Sequence, residues 1–241
     1  MGRLSHGALA DFAKARAKPQ RRCQGLSRGR YIRSAQAYNR AIMDPIQTIA
    51  IGSGLAWASG LRLYAVIFFA GLLARLGVIT LPGELGMLSN PVVTGIAGVL
   101  FFVEFFADKI PGLDSVWDAV HTFIRVPAGA VLAAASLGNG VDPALIFAAG
   151  LAGGTLAGTS HFAKAGSRAL INTSPEPFSN WTASFGEEII VASALWLAFT
   201  HPLAFLVALA VVVAVSCWLI TILWRFMAGL FRKHSLRPSG T

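Results

Sequence analysis

Charge is scarce in this chain. Only 13% of its 241 residues are Asp, Glu, Lys or Arg, roughly half the share usual in soluble domains. Cysteine is scarcer still. Cys23 and Cys217 are the only two, too few for a disulfide framework or a cysteine-based metal cluster. No phosphate-cradling glycine loop, HExxH helix or haem motif occurs. The common enzyme signatures are therefore missing, and no cofactor is implied. The basic residues near the N-terminus lack interleaved aromatics, so nucleic acid is not an expected partner.

What the chain has instead is hydrocarbon. It is 55% hydrophobic with a mean hydropathy of +0.62. Its apolar runs are long enough to cross a bilayer. The net charge of +9 is not spread over the chain. Residues 1–42 carry ten Lys or Arg and one acid, whereas residues 43–241 are balanced. The leader has no apolar segment behind its charges, so it does not read as a secretory signal. Met43 directly precedes Asp44-Pro45 and the first apolar run, which makes Met43 the expected natural start. Three parts follow: a basic leader over 1–42, a membrane domain over 43–228 and a basic tail over 229–241.

Asp44-Pro45, Asn90-Pro91, Asp142-Pro143 and His201-Pro202 each open an apolar run. Asp and Asn accept the orphan N–H bonds of a first turn, and proline fits the first helical position. Ser184 to Glu187 matches a capping box. Helices are expected over about 45–79, 91–108, 126–138, 143–171, 185–200 and 202–227. A separate amphipathic helix over 114–125 is expected at the membrane surface. The first run is too long for one crossing, since about 35 residues at ~1.5 Å each exceed a ~30 Å core. Gly52, Gly54 and Gly60 are the expected places for it to break or fold back.

The connections 80–90, 139–142 and 200–201 contain no Lys or Arg, whereas the intervening ones and the C-terminus do. The positive-inside rule then places both termini in the cytoplasm of a bacterial inner membrane, with six crossings. That parity fails if the first segment crosses twice. Gly52–Ser59 aligns with Gly153–Ser160 at an offset of 101. The match admits an inverted three-helix repeat, and small-residue helix packing is the alternative.

Polar side chains then stand out by position. Asp114, Asp118, His121 and Arg125 are spaced i, i+4, i+7, i+11, one stripe on a helix. Two carboxylates and an imidazole in line could hold a hard cation or relay protons. A solvated, self-paired face is the plainer reading. Glu104, one turn before Asp108, lies among phenylalanines, and an intramembrane carboxylate marks a functional site by default. Arg62, Lys109 or Lys164 could neutralise it. Glu188 is a further candidate, with Glu187 explained by the capping box. His161, Lys164 and Arg168 form a basic face that suits an anionic headgroup or inner-leaflet anchoring.

The stretches GSGLAWASGLRLYAV (52–66), VEFFADKIPGLDSVWDAVHTFIRVPAGA (103–130) and KAGSRALINTSPEPFSNW (164–181) resemble a family of small bacterial integral-membrane proteins carried as a domain of unknown function. The resemblance spans about 46–225. It implies a membrane fold and supplies no mechanism.

The expected architecture is thus all-α, with about six transmembrane helices and one interfacial helix in a lipid bilayer. The expected function is a small transporter or channel. Glu104, Asp108, Asp114, Asp118, His121 and Glu188 would handle a small cation or protons, and Arg62, Lys164 and Arg168 would supply counter-charge. A membrane-embedded enzyme or carrier for lipid headgroups and a non-catalytic scaffold are the alternatives, and a homo-oligomer is left open. Mass spectrometry of the native protein should return Met43 as the first residue; a peptide from within 1–42 would rule that start out.

Overall fold

The computed structural model describes residues 45–110, 112–173 and 177–235, and the leader over 1–42 with its proposed start lies outside them. The described chain is all-helical. Helix α1 is Pro45–Arg75, a 3₁₀ segment is Gly83–Ser89, and α2 is Pro91–Ala107. Then come α3 (Leu113–Leu137), α4 (Pro143–Ile171), α5 (Pro177–Thr200) and α6 (Pro202–Ser235). Among the described residues, five helices are long and apolar enough to cross a membrane. The 3₁₀ segment and α2, bent by 71°, make a sixth candidate.

The caps behave as their chemistry dictates. The side chain of Asn90 accepts from the Val92 N–H at 2.9 Å, and that of Asp142 from the Ala144 N–H at 2.8 Å. Each starts a helix with proline in its first turn.

Helix α1 does not cross straight. It breaks at Arg62 (φ −146°, ψ 76°) rather than at a glycine. Its contacts show that it enters and returns. Near its start, Gln47 donates to the Phe199 carbonyl at the end of α5, and Gly54 lies against Phe205 at the start of α6. At its middle, Arg62 reaches Asp108, just past the end of α2, and Ser184 in α5. Near its end, Gly71 packs on Leu88 and Thr94 beside the start of α2. Both ends of α1 therefore lie on the face carrying the 138–142 and 200–202 connections. Helix α6 descends from that face, so Pro45 and the C-terminal end of α6 lie on opposite faces. The parity that places both ends on one side does not survive this fold-back.

The first arm of α1 runs parallel to α4. Ser160 donates to the Trp57 carbonyl at 2.6 Å and Lys164 to the Leu61 carbonyl at 3.1 Å, so the two chains advance together. An inverted repeat needs opposite directions, and the shared glycine pattern here is small-residue packing. Gly60 sits so close to Ala157 and Ser160 that a Cβ would collide with both. Gly153 meets Gly129 and Ala133 of α3 in the same way. Close approach of this kind drives association where lipid removes the hydrophobic incentive.

Two boundaries differ from the sequence reading. The amphipathic segment 114–125 is not a separate surface helix; it continues through Pro127 as the first half of α3. Its polar stripe is buried, whereas Val116, Val120 and Phe123 are exposed. The helix is thus apolar outward and polar inward, as lipid surroundings demand. Helix α5 begins at Pro177, so Ser184 is interior to it and caps nothing. The returning α1 predicts a labelling pattern. In a cysteine-free background, Pro45→Cys and Leu76→Cys should react from one side of sealed vesicles and Ile110→Cys from the other. A straight α1 would place the first two on opposite sides.

Candidate functional site

The break in α1 leaves Arg62 at the centre of the charged side chains. Its Nη1 lies 3.1 Å from Asp108 Oδ2, its Nε 3.3 Å from Glu187 Oε2 and its Nη2 3.5 Å from Glu188 Oε1. Nη2 also donates to the hydroxyl and the carbonyl of Ser184, at 2.6 and 3.1 Å. Lys164 joins from α4. Its Nζ lies 2.7 Å from Asp108 Oδ2 and donates to the Leu61 carbonyl at the end of the first arm. A cation at a helix C-terminus offsets the partial negative charge of its last carbonyls.

A second guanidinium extends the group. Arg125 bridges Glu104 and Asp118, each at 2.7 Å, and donates to His161 Nδ1 at 3.2 Å. Because arginine only donates, His161 Nδ1 must accept, and the ring proton sits on Nε2. That proton faces the Thr122 hydroxyl at 2.7 Å, which in turn donates to the Asp118 carbonyl at 3.0 Å. Arg168 closes the other end. It holds Glu187 Oε1 through Nε and Nη2, both at 3.0 Å, and donates to the carbonyls of Asp108 and Asn180 at 3.1 and 3.2 Å. Asp114 lies 3.9 Å from it and accepts from Asn172 at 2.9 Å. Asn180 donates to the Asn172 side-chain oxygen at 3.0 Å.

Most of the candidates therefore converge. Glu104, Asp108, Asp114, Asp118, Arg62, Lys164 and Arg168 are all buried in one group. The solvated-face reading of the stripe and the inner-leaflet reading of Lys164 and Arg168 are both overturned by that burial. Glu104 is neutralised by Arg125 and not by Arg62, Lys109 or Lys164. His121 stands apart from the ion pairs. It donates from Nδ1 to the Trp117 carbonyl at 2.8 Å, faces the Tyr64 hydroxyl at 3.2 Å and stacks on Trp117. Lys109 sits over the Phe105 ring, 3.0 Å from its centroid, in a cation–π contact. Burial lowers its pKa, against the opposing charge of Glu188.

Among the described residues, no three His, Cys, Asp or Glu side chains gather as a metal-ligand set. The reason is visible in the pairing. Arg125 separates Glu104 from Asp118, and Lys164 stands between Asp108 and Asp118. The stripe does not form a divalent-cation cage.

Six carboxylates (Glu104, Asp108, Asp114, Asp118, Glu187, Glu188) thus face Arg62, Lys109, Arg125, Lys164 and Arg168, an excess of one acid. The carboxylates are not equally buried. Glu188 has a side chain 25% exposed, against 12% for Glu187 and none for Asp108. Glu188 also has the longest contact to Arg62 of the three. It lines a cleft of about 710 Å³ running between the arms of α1 and α5. Arg62 and Glu188 lie at its deep end, Phe69, Phe101, Trp196 and Phe199 along its walls, and Thr80 and Thr200 at its rim.

Arg125, Glu187, Ser184, Asn172 and Asn180 were not singled out as site residues by sequence. Arg125 lay in the stripe, and its spacing from Asp118 was the available signal. Glu187 was hidden by the capping-box pattern. Asn172 and Asn180 lie in a Pro-rich stretch, and nothing local links them to Asp114.

The fold and site define a multi-pass helical membrane protein with a folded-back first helix and a buried ion-pair network at its turning point. A family model described as "Domain of unknown function (DUF4126)" matches residues 49–222. The chain belongs to that family. No curated protein and no solved structure matches it.

Asp108, in the turn after α2, gives a test of the network. Burial pushes its pKa up, but Lys164, Arg62 and Arg168 together hold it below the usual carboxylate range. A depressed folded pKa adds stability above the unfolded pKa, and that contribution is lost as pH falls through the folded value. Asp108→Asn should therefore cost about 3–5 kcal/mol at neutral pH, because it removes the closest carboxylate of two buried cations. The deficit should shrink as pH falls below ~4, where the unfolded chain's carboxyl takes up its proton, and should keep shrinking until the folded carboxyl, held lower, is protonated too. Thermal unfolding in detergent at several pH values reads both.

Proposed function

We propose that this protein is a small transporter of the bacterial inner membrane in which Glu188 exchanges a proton or monovalent cation. The observation that carries the reading is the cleft, which leads between the arms of a broken helix to the least buried carboxylate of a charge network. Broken helices are tolerated at membrane depth where they line a cavity or are buried in protein. In transporters they form the substrate and ion sites. Here the break supplies the floor of a cleft and the guanidinium that anchors it.

The excess of one carboxylate supports exchange at Glu188. Asp108, Glu104 and Asp118 are each held by a cation at about 2.7 Å, and releasing any of them would strand a buried charge. Glu188 can gain a proton and leave Arg62 balanced by Asp108 and Glu187. The loops on the cleft side carry no Lys or Arg, and with Met43 as the start Arg75 at the end of α1 is the one basic residue of the membrane domain beside them, whereas Lys109 and Arg225 lie toward the other face. The positive-inside rule then points the cleft outward and the network toward the cytoplasm. A headgroup enzyme would need Lys164 and Arg168 free for phosphate, and both are spent on carboxylates and carbonyls.

The test is flux. Full-length protein in liposomes should carry protons down an imposed pH gradient, read by an internal pH dye. Glu188→Gln should lower that flux at least about tenfold, the size of effect typical of a lost proton-transfer group. Flux equal to that of empty liposomes would exclude a proton transporter.

A further inference from the structure

We infer that the cleft takes a lipophilic organic cation, bound through the Glu188 carboxylate and the aromatic walls above it. The proposal rests on the transport reading for its biological use, though not for its binding chemistry. The cleft volume, about 710 Å³, falls within the roughly 300–1,000 Å³ of small-molecule sites. Its lining is mostly apolar, and four aromatic rings contribute: Phe69, Phe101, Trp196 and Phe199. Aromatic faces attract cations, more strongly where water is thin. The charged groups at the deep end decide the sign. Arg62 has no exposed side-chain surface and is engaged by Asp108, Glu187, Glu188 and Ser184. Glu188 is the charged side chain with surface left to offer.

A small hydrated ion would gain nothing from the aromatic walls. An anion would meet a carboxylate first, with the guanidinium behind it fully buried and matched by three carboxylates. An apolar cation satisfies both parts of the cleft at once. The groups facing Glu188 are Arg62 from α1, Asp108 and Lys109 beyond the end of α2, and Glu187 beside it on α5. Lys164 and Arg168 of α4 act on it through Glu187 and Asp108. A proton and an organic cation would therefore compete for a single carboxylate. That competition couples the uptake of one to the release of the other.

Calorimetric titration of the purified full-length protein with tetraphenylphosphonium tests this. Binding should strengthen with pH, by up to about tenfold per unit while Glu188 titrates. Neutral triphenylphosphine oxide, of similar size, should bind at least about tenfold more weakly than the cation. Glu188→Gln should remove the preference for the cation. Trp196→Ala leaves every ion pair in place and should weaken the phosphonium severalfold. Equal affinity for the two probes, or pH-independent binding unchanged in both variants, would overturn the inference. The two proposals fail separately. Cation binding without flux removes the transporter and leaves the site; proton flux without phosphonium binding removes the organic cation and leaves the transporter.

Discussion

The structure depends on neutralising one guanidinium at a helix break. An arginine deep in a membrane bundle is costly unless its charge is matched and its donors are used. Arg62 has its charge matched from two other elements, Asp108 at the end of α2 and Glu187 and Glu188 in α5, while Ser184 takes the hydrogen bonds of Nη2. Those partners must in turn be balanced, which brings in Lys164 and Arg168 of α4. Arg125, Glu104 and Asp118 complete the set through α3. Each charge justifies the next, and the chain of justification runs through five helices.

Such a network requires helices that approach closely. Short side chains such as Asp108 and Asp118 cannot span a loose interface. The glycines and alanines where α1, α3 and α4 meet provide the approach. Gly60 lies against Ala157 and Ser160, and Gly129 lies against Ala157 and the Gly153 carbonyl. These small residues and the ion pairs are two halves of one device. Packing alone would leave the charges unsatisfied, and the charges alone would not hold lipid-bathed helices together.

The class of fold was legible because lipid imposes a pattern that local sequence reports. Apolar runs, Asx-Pro caps and basic loops are all short-range signals, and α2, α4 and α6 begin where these place them. The fold-back of α1 was only half legible. Its excess length was plain, but the break falls at Arg62, whose side chain is held by distant partners from two other elements that no local pattern reports. The stripe in α3 was readable as a stripe, whereas its burial was not. Periodicity says which residues share a face and leaves open whether that face meets water or protein. Glu187 shows the limit most clearly. A local capping rule explained it fully, and a partner in α4, nineteen residues earlier, overrode that explanation.

The network also bears on what can move. The centre is held by short contacts between full charges, and parting them would leave buried ions unpaired. The face opposite the cleft is closed differently. There Asp114, Asn172 and Asn180 are joined by hydrogen bonds of 2.9–3.1 Å, and Arg168 stands 3.9 Å from the Asp114 carboxylate. Amide hydrogen bonds can be exchanged for water at little net cost, whereas buried ion pairs cannot. Under the transport proposal, a cycle that presents Glu188 to the second face would part the Asn172 contacts and keep the Arg62 group whole. The rigid charges would then act as the pivot, with the asparagine contacts as the closure that yields.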